Sequence, residues 1–396
     1  ELVAVDDIAV QSLLTQYATP LYLFDGETLQ QRVSYLRSKL PSGVGLCYAI
    51  KANPFLAGYL SPLVERLELC SPGEYRICSE QGLPLSQFVV SGVYKTPEFI
   101  QEILPNSPAI FTVESMEQFD LIHCTAQDSG SPVSLLLRLT SGNQFGLEKD
   151  EIIEILTQHQ NDPLLHFKGI QYFSGTQKTS VKRLTRELST VDEFLQTLEQ
   201  LLGHPMEELE FGPGFPVSYY AEDDFPEDEY LEQFAQLLQT MTFSGTITLE
   251  LGRSLAAHCG TYFTRVVDAK CNHKQNYAIV DGGMHQLVYY GQSMAMKLPP
   301  IRHYTHHSPG NVEPWNICGS LCTINDILVK QLPLPSLHVG DVLAFERTGA
   351  YCMTEGISLF LSRDLPAVLY RHPDGQVDEL RSHFETYHLN TSNLQK

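Results

Sequence analysis

Between Leu21 and Arg253 the chain alternates short β-rich runs with longer stretches in which apolar residues recur at helical spacing. The runs are 45–51, 67–70, 88–91, 109–113, 133–139, 167–173, 209–211 and 246–251, and they predict eight strands. Two of the intervening segments are strongly amphipathic. Residues 28–40 carry Leu29, Val33, Leu36 and Leu40 behind a capping Asp25 or Thr28, and residues 181–202 carry Val191, Phe194, Leu195 and Leu198. This alternation predicts parallel strands joined by crossover helices, and eight such units in this length match a closed (β/α)₈ barrel of the TIM type. A doubly wound open sheet is the alternative. After Arg253 the helical period disappears. Short runs at 262–268, 277–280, 285–290, 342–345, 357–361 and 368–370 predict an all-β second domain, with Asp281-Gly282-Gly283 as a tight-turn signal between two of them.

Composition narrows the partners. Across 396 residues, 47 acidic side chains face 26 basic ones, a formal charge of −21 that repels phosphate backbones and anionic lipid surfaces. No apolar run approaches the roughly 20 residues that span a bilayer, so neither nucleic acid nor membrane is an expected partner. The amino end, residues 1–10, has no basic n-region and no continuous apolar stretch, which predicts a cytoplasmic, reducing setting; the first residue is Glu1 rather than Met, which leaves room for a short upstream extension. Nine cysteines, an odd number without CxxC pairs, argue against a disulfide framework and a zinc ribbon. His303, His306 and His307 cluster, but no carboxylate or cysteine joins them at ligand spacing, and the expectation is a solvated loop without a metal.

Chemistry is expected at the carboxyl ends of the barrel strands. The first strand ends in Tyr48-Ala49-Ile50-Lys51-Ala52-Asn53-Pro54, which places a lysine inside an apolar run. Either Lys51 snorkels out of the strand end, or burial lowers its pKa so that the amine can form a Schiff base. The eighth strand ends in Leu249-Glu250-Leu251-Gly252-Arg253-Ser254, where a glycine and an arginine could hold an anion. Leu209-Glu210-Phe211-Gly212-Pro213-Gly214-Phe215 adds a second glycine-bearing turn, and no dinucleotide or Walker fingerprint is present. A lysine, phosphate-like turns and an acid on one rim suggest pyridoxal 5'-phosphate. Such a site is expected to be locally positive, with the −21 on outer faces.

The ordered motifs make a resemblance specific. YAIKANP at 48–54, ELCSPGE at 68–74, SGVYK at 91–95, FSGTQ at 173–177, FGPGF at 211–215, ELGRS at 250–254, VDGG at 280–283, GSLCTINDIL at 319–328 and GAY at 349–351 are similar, in order, to the fold-type III pyridoxal-phosphate decarboxylases. These are the diaminopimelate, ornithine and arginine decarboxylases. The resemblance implies an alanine racemase-like fold, with a cofactor-binding barrel over 25–265 and a β-sandwich or β-barrel domain from 1–24 and 266–396. It implies that Lys51 carries the cofactor covalently and that Glu250 binds its ring nitrogen. Gly212, Gly214, Gly252, Arg253 and Tyr351 resemble the phosphate-binding set. Cys322 resembles the cysteine that reaches the cofactor from the neighbouring subunit and returns a proton to Cα after carbon dioxide leaves, with Asp326 at the family's spacing behind it. An obligate homodimer with two shared sites follows from that arrangement.

Two departures bear on substrate. Phe173 stands where the family often has histidine; it can stack on the cofactor ring but cannot donate a proton. Thr323 stands where ornithine and diaminopimelate enzymes have an acidic residue that holds the substrate's distal amine, and threonine cannot form that ion pair. The distal end is then expected to be neutral, acidic or conjugated, as in a citryl-diamino acid of siderophore assembly or a carrier-bound amino acid. Arg138 and His303 are rim cations that could receive such a substrate's carboxylates. The alternatives are a decarboxylase of free diaminopimelate, ornithine or lysine, a racemase, which in this fold has arginine at the ring nitrogen, and a non-catalytic decarboxylase-like regulator.

Overall fold

A computed structural model describes residues 7–308 and 310–392. Residues 1–6, part of the amino end read above, lie outside the described residues. Eight strands run parallel and close on themselves: β2 (Gly45–Ala49), β3 (Arg66–Leu69), β4 (Phe88–Val90), β5 (Ile110–Val113), β6 (Val133–Arg138), β7 (Leu165–Phe173), β8 (Glu208–Gly212) and β9 (Thr246–Leu251). Closure is made by β2 pairing with β9, Gly45 opposite Thr248 and Cys47 opposite Glu250. All eight strands lie where the apolar runs placed them, and the closed barrel rather than the open sheet is the architecture. The helix Val181–Leu202 shows why the helical layer forms. Ser180 caps it by accepting from the Arg183 amide, and Leu184, Leu188, Val191, Leu195 and Leu198 form one buried stripe. The barrel and its helices form one compact unit, Val33–Pro216 with Pro226–Leu255.

The other unit comprises the segment ending at Arg32, Val217–Phe225 and the chain from Ala256 onward. It is built on one mixed sheet of nine strands. The sheet contains β1 (Leu21–Asp25), β10 (Gly260–Asn272), β11 (Gln275–Val280), β12 (Ile301–Tyr304), β13 (Val312–Cys318), β14 (Ile327–Pro335), β15 (Val342–Glu346), β16 (Ala367–Arg371) and β17 (Val377–Arg381). The main order is β14-β13-β11-β10-β1-β16-β17, with β15 pairing both β10 and β12. A register shift between Val266 and Asp268 lets the long β10 serve β1 and β15 with its first half and β11 with its second. Leu21, Leu23, Phe263, Ala344 and Leu369 form its core with Val10 and Leu13 of the helix Asp7–Gln16.

Two of the expected strands in this unit are not strands. Residues 285–290 form turns anchored by the Gln286 and Leu287 amides on the Gly283 carbonyl, and residues 357–361 run into a short 3-10 turn with Leu361 at φ +59°. Conversely, β13 and β14 escape the pattern because Pro314 pairs with Pro333 and Val312 with Pro335, and proline is depleted from strands. The histidine cluster also gains a partner that spacing did not offer. Pairing of Tyr304 with Val342 brings Asp341 beside His303, whose Nε2 lies 2.9 Å from Asp341 Oδ2. All nine cysteines are free thiols, four of them buried.

Candidate active site

At the carboxyl end of β2 the chain tightens into one 3-10 turn, Ile50–Ala52, followed by Asn53, whose side chain accepts from the Phe55 amide. Lys51 stands in that turn. Its Nζ lies 2.6 Å from Glu68 Oε2 on β3, 3.6 Å from Glu250 Oε1 on β9 and 3.8 Å from Cys70 Sγ. The lysine side chain is 41% exposed while Glu68 and Glu250 are nearly closed off. Lys51 is therefore neither a buried unpaired ammonium nor a side chain snorkelling into solvent; it is an accessible amine held over two buried carboxylates.

Below it the strand ends carry more acid than the expectation of a positive site allowed. Gln171 on β7 donates to Glu210 Oε1 at 2.7 Å and reaches Glu250 Oε2 at 3.4 Å. Glu210 is fully buried and its Oε2 has no hydrogen-bond partner. Burial, then the Glu68 charge, pushes the Glu250 carboxyl up to about 7; burial and the Glu250 charge raise Glu210 well above the usual range. Glu68 goes the other way: burial opposes its ionisation, but the Lys51 ammonium outweighs it and holds the carboxyl low. The mouth thus contains one ionised carboxylate paired to the lysine and two that favour protonation. Arg138, offered above as a receiver of substrate carboxylates, is already engaged with Glu114 at 2.8 Å and lies 4.7 Å over the Phe145 ring. His303 is likewise bound to Asp341.

Three turns meet at the neighbouring edge of the rim. After β8, Gly214 sits at φ +61°, and a Cβ there would strike the Gly175 carbonyl of the turn that follows β7. The Lys178 amide donates to the Gly214 carbonyl at 2.9 Å, tying the two turns together. After β9, Arg253 Nε donates to Thr176 Oγ1 at 2.8 Å, so a guanidinium, a hydroxyl and two glycine-bearing turns converge. Phe173, the last residue of β7, packs its ring against Gly212, where any side chain would collide with it. Gly252 immediately precedes Arg253 in the same turn. Lysine with carboxylates on one side and an anion cradle on the other is what this rim brings together.

The remaining candidates belong to the other unit. Cys322 and Thr323 are at the tip of the loop between β13 and β14, the thiol exposed, beside Ile324, which is 91% exposed. Asp326 shapes that loop from inside. Its carboxylate accepts from the Met284 amide at 2.7 Å and the Leu321 amide at 2.8 Å. Tyr351 has φ +64° in a turn set by the close approach of Gly349 to Gly260; the Thr348 amide donates to the Gly260 carbonyl at 3.0 Å. Sequence reasoning interrogated Lys51 as a charge in an apolar run but passed over Glu68, Gln171 and Glu210, which break their own apolar runs in the same way.

Comparisons with known proteins fit this geometry. Residues 21–349 match the family described as pyridoxal-dependent decarboxylase, C-terminal sheet domain. The chain is 26% identical over 392 residues to a diaminopimelate decarboxylase of Zymomonas mobilis, covering 92% of this chain and 90% of that one. It is 25% identical over 385 residues to a 2-[(L-alanin-3-ylcarbamoyl)methyl]-2-hydroxybutanedioate decarboxylase of Staphylococcus aureus, covering 88% and 93%. Among solved structures, diaminopimelate decarboxylase from Helicobacter pylori complexed with L-lysine superposes with a TM-score of 0.84 at 24% identity, over 96% of this chain and 98% of that one. Among the described residues, no helix is long and apolar enough to cross a membrane.

Proposed function

The chain belongs to the pyridoxal-dependent decarboxylases, carboxy-lyases that use pyridoxal 5'-phosphate, and from that premise we propose that it removes the α-carboxylate of a conjugated amino acid. The residues fit the cofactor. Gly214 leaves no room for a side chain where its turn meets the Gly175 carbonyl, and Arg253 beside Thr176 supplies the cation and hydroxyl a phosphate needs. Glu250 is a carboxyl that burial and then the Glu68 charge push up to about 7, and a protonated ring nitrogen would pair with it. When bound there, the cofactor supplies an electron sink for the pair released as the Cα–carboxylate bond breaks.

The protein's own residues have distinct tasks in this reading. Lys51 presents an accessible amine for covalent attachment, with Glu68 as its counter-ion. Gly212, Gly214, Gly252 and Arg253 hold the phosphate, and Phe173 packs against the ring without taking part in proton transfer. Cys322 returns a proton to Cα across a homodimer interface. The exposed Ile324 beside it is the apolar surface such an interface would cover. Mixing Lys51→Ala and Cys322→Ala proteins tests the shared site: hybrids carry one intact site, so activity returns to about a quarter of wild type. No recovery sinks the shared site.

The observation that carries the substrate proposal is Thr323 after Cys322, a neutral hydroxyl where a distal ammonium would need a carboxylate. The Staphylococcus aureus relative supports it, being named for a substrate in which an alanin-3-yl group is joined through a carbamoyl link to a hydroxybutanedioate. We favour an amino acid linked in this way to a polycarboxylate, of the kind siderophore assembly uses. A second reading, free diaminopimelate, rests on the Zymomonas mobilis relative. Carbon dioxide release from citrate-linked diamino acids compared with free diaminopimelate, lysine and ornithine decides between them. Preference for a free diamino acid refutes the conjugate.

A further inference from the structure

On the helical layer, two helices bring together a donor set that the decarboxylation chemistry does not use. His123 lies on the helix Met116–Ser129, His159 ends the helix Lys149–His159, and Asp162 follows three residues later. One donor atom from each lies within 4.8 Å of the others, and His123 Nε2 is 2.8 Å from Asp162 Oδ2. The set is rigidly held. Asp162 Oδ1 accepts from the Leu164 amide at 2.9 Å, and the Phe119 ring packs on both imidazoles at 5.6 and 4.9 Å. Gln127 adds a second observation. Its Nε2 lies 3.2 Å from the same His123 Nε2 that faces Asp162, and that nitrogen cannot both donate to the carboxylate and accept from the amide. Turning the Gln127 amide over presents its oxygen instead.

The geometry points to a divalent transition-metal site of the zinc class at His123, His159, Asp162 and Gln127, a clasp between two barrel helices. Two imidazoles and a carboxylate are donors zinc takes, and the Gln127 amide oxygen, a harder and weaker donor, would stand in the fourth position. Tetrahedral ligands stand ~3.4 Å apart around zinc, so the His123–Asp162 contact needs to open by about half an ångström. The cluster of His307, His338 and Asp341 is less suited. Asp341 Oδ2 is already saturated by His303 Nε2 at 2.9 Å and the His338 amide at 2.8 Å. Because His159 leads toward the amino end of β7, the clasp lies away from the rim that holds Lys51 and Glu250.

The test is calorimetric titration of the holoenzyme with zinc, beside His159→Gln, Asp162→Asn and the control His338→Gln. One equivalent should bind wild type and the control, and bind at least about tenfold more weakly to the other two. A zinc-dependent rise in melting temperature should disappear in the same two variants. Unchanged affinity in His159→Gln, or loss only in His338→Gln, overturns the site. Since thiols also take zinc, anomalous diffraction from a zinc-soaked crystal locates the ion independently of any variant. A peak bonded to His123, His159 and Asp162 supports the clasp, and peaks only at cysteines or at His307 and His338 refute it.

Discussion

Replacing Glu250 by glutamine should stabilise the cofactor-free fold at neutral pH while destroying the catalyst. In the folded chain the Glu250 carboxyl titrates near 7, against 4.5 for the free side chain, because it is buried and faces Glu68. Between those two values the folded state keeps a proton that the unfolded state has released, so stability falls as pH rises and the loss is complete above 7. A span of about 2.5 units at 1.36 kcal/mol each is about 3 kcal/mol. Glu250→Gln removes the titration and keeps the shape. Urea unfolding of cofactor-free wild type and variant, measured from pH 4.5 to 8, should show a stability difference that grows with pH by about that amount and then levels off. A difference that is constant across the range refutes the argument that burial and the Glu68 charge control this carboxyl. The variant loaded with cofactor should decarboxylate far more slowly, since an amide cannot keep the ring nitrogen protonated.

Other perturbations separate the remaining roles. Lys51→Ala should lose both turnover and the covalently bound cofactor, read as near-ultraviolet phosphopyridoxyl absorbance and added mass retained on the chain after borohydride reduction and denaturation; a labelled, active variant removes the assignment. Gly214→Ala places a Cβ against the Gly175 carbonyl at φ +61°, and should cost at least about 1 kcal/mol in thermal unfolding and weaken cofactor binding in a titration. Thr323→Glu restores a carboxylate beside Cys322 and should raise kcat/KM for free diamino acids about tenfold relative to the conjugate, one charge-assisted hydrogen bond's worth. An unmoved ratio detaches Thr323 from specificity. Cys322→Ala should slow turnover without reducing cofactor content, and unchanged kinetics would remove its proton-transfer role.

The barrel was legible because its strands are apolar runs separated by amphipathic helices, a period change that survives without tertiary knowledge. The second unit was only half legible. Pro314, Pro333 and Pro335 sit inside real strands, and the apolar 285–290 run is buried in turns, so local pattern and pairing disagree there. Lys51 and Glu250 could be picked out because each sets a charge within an apolar run, and Arg253 because it follows a strand's end. Asp341 carries no local signal linking it to His303; only the pairing of β12 with β15 makes them neighbours.

The charges at the barrel mouth bear on the proposed cofactor site. Glu68 pairs with Lys51 at 2.6 Å, Glu114 with Arg138 at 2.8 Å and Glu208 with Arg66 at 2.5 Å, three anions against three cations. Glu210 and Glu250 have only longer contacts to cations, 3.8 Å from Arg66 and 3.6 Å from Lys51, and both are pushed toward the protonated form. A ring nitrogen held at Glu250 would share that carboxyl's single proton, and a pyridinium paired with an ionised Glu250 would add no net buried charge. The acidic mouth is therefore consistent with a phosphate-bearing cofactor. In the proposed reading Arg253 and the glycine turns at one edge of the rim would take its anionic end, and the buried Glu250 carboxyl its ring nitrogen.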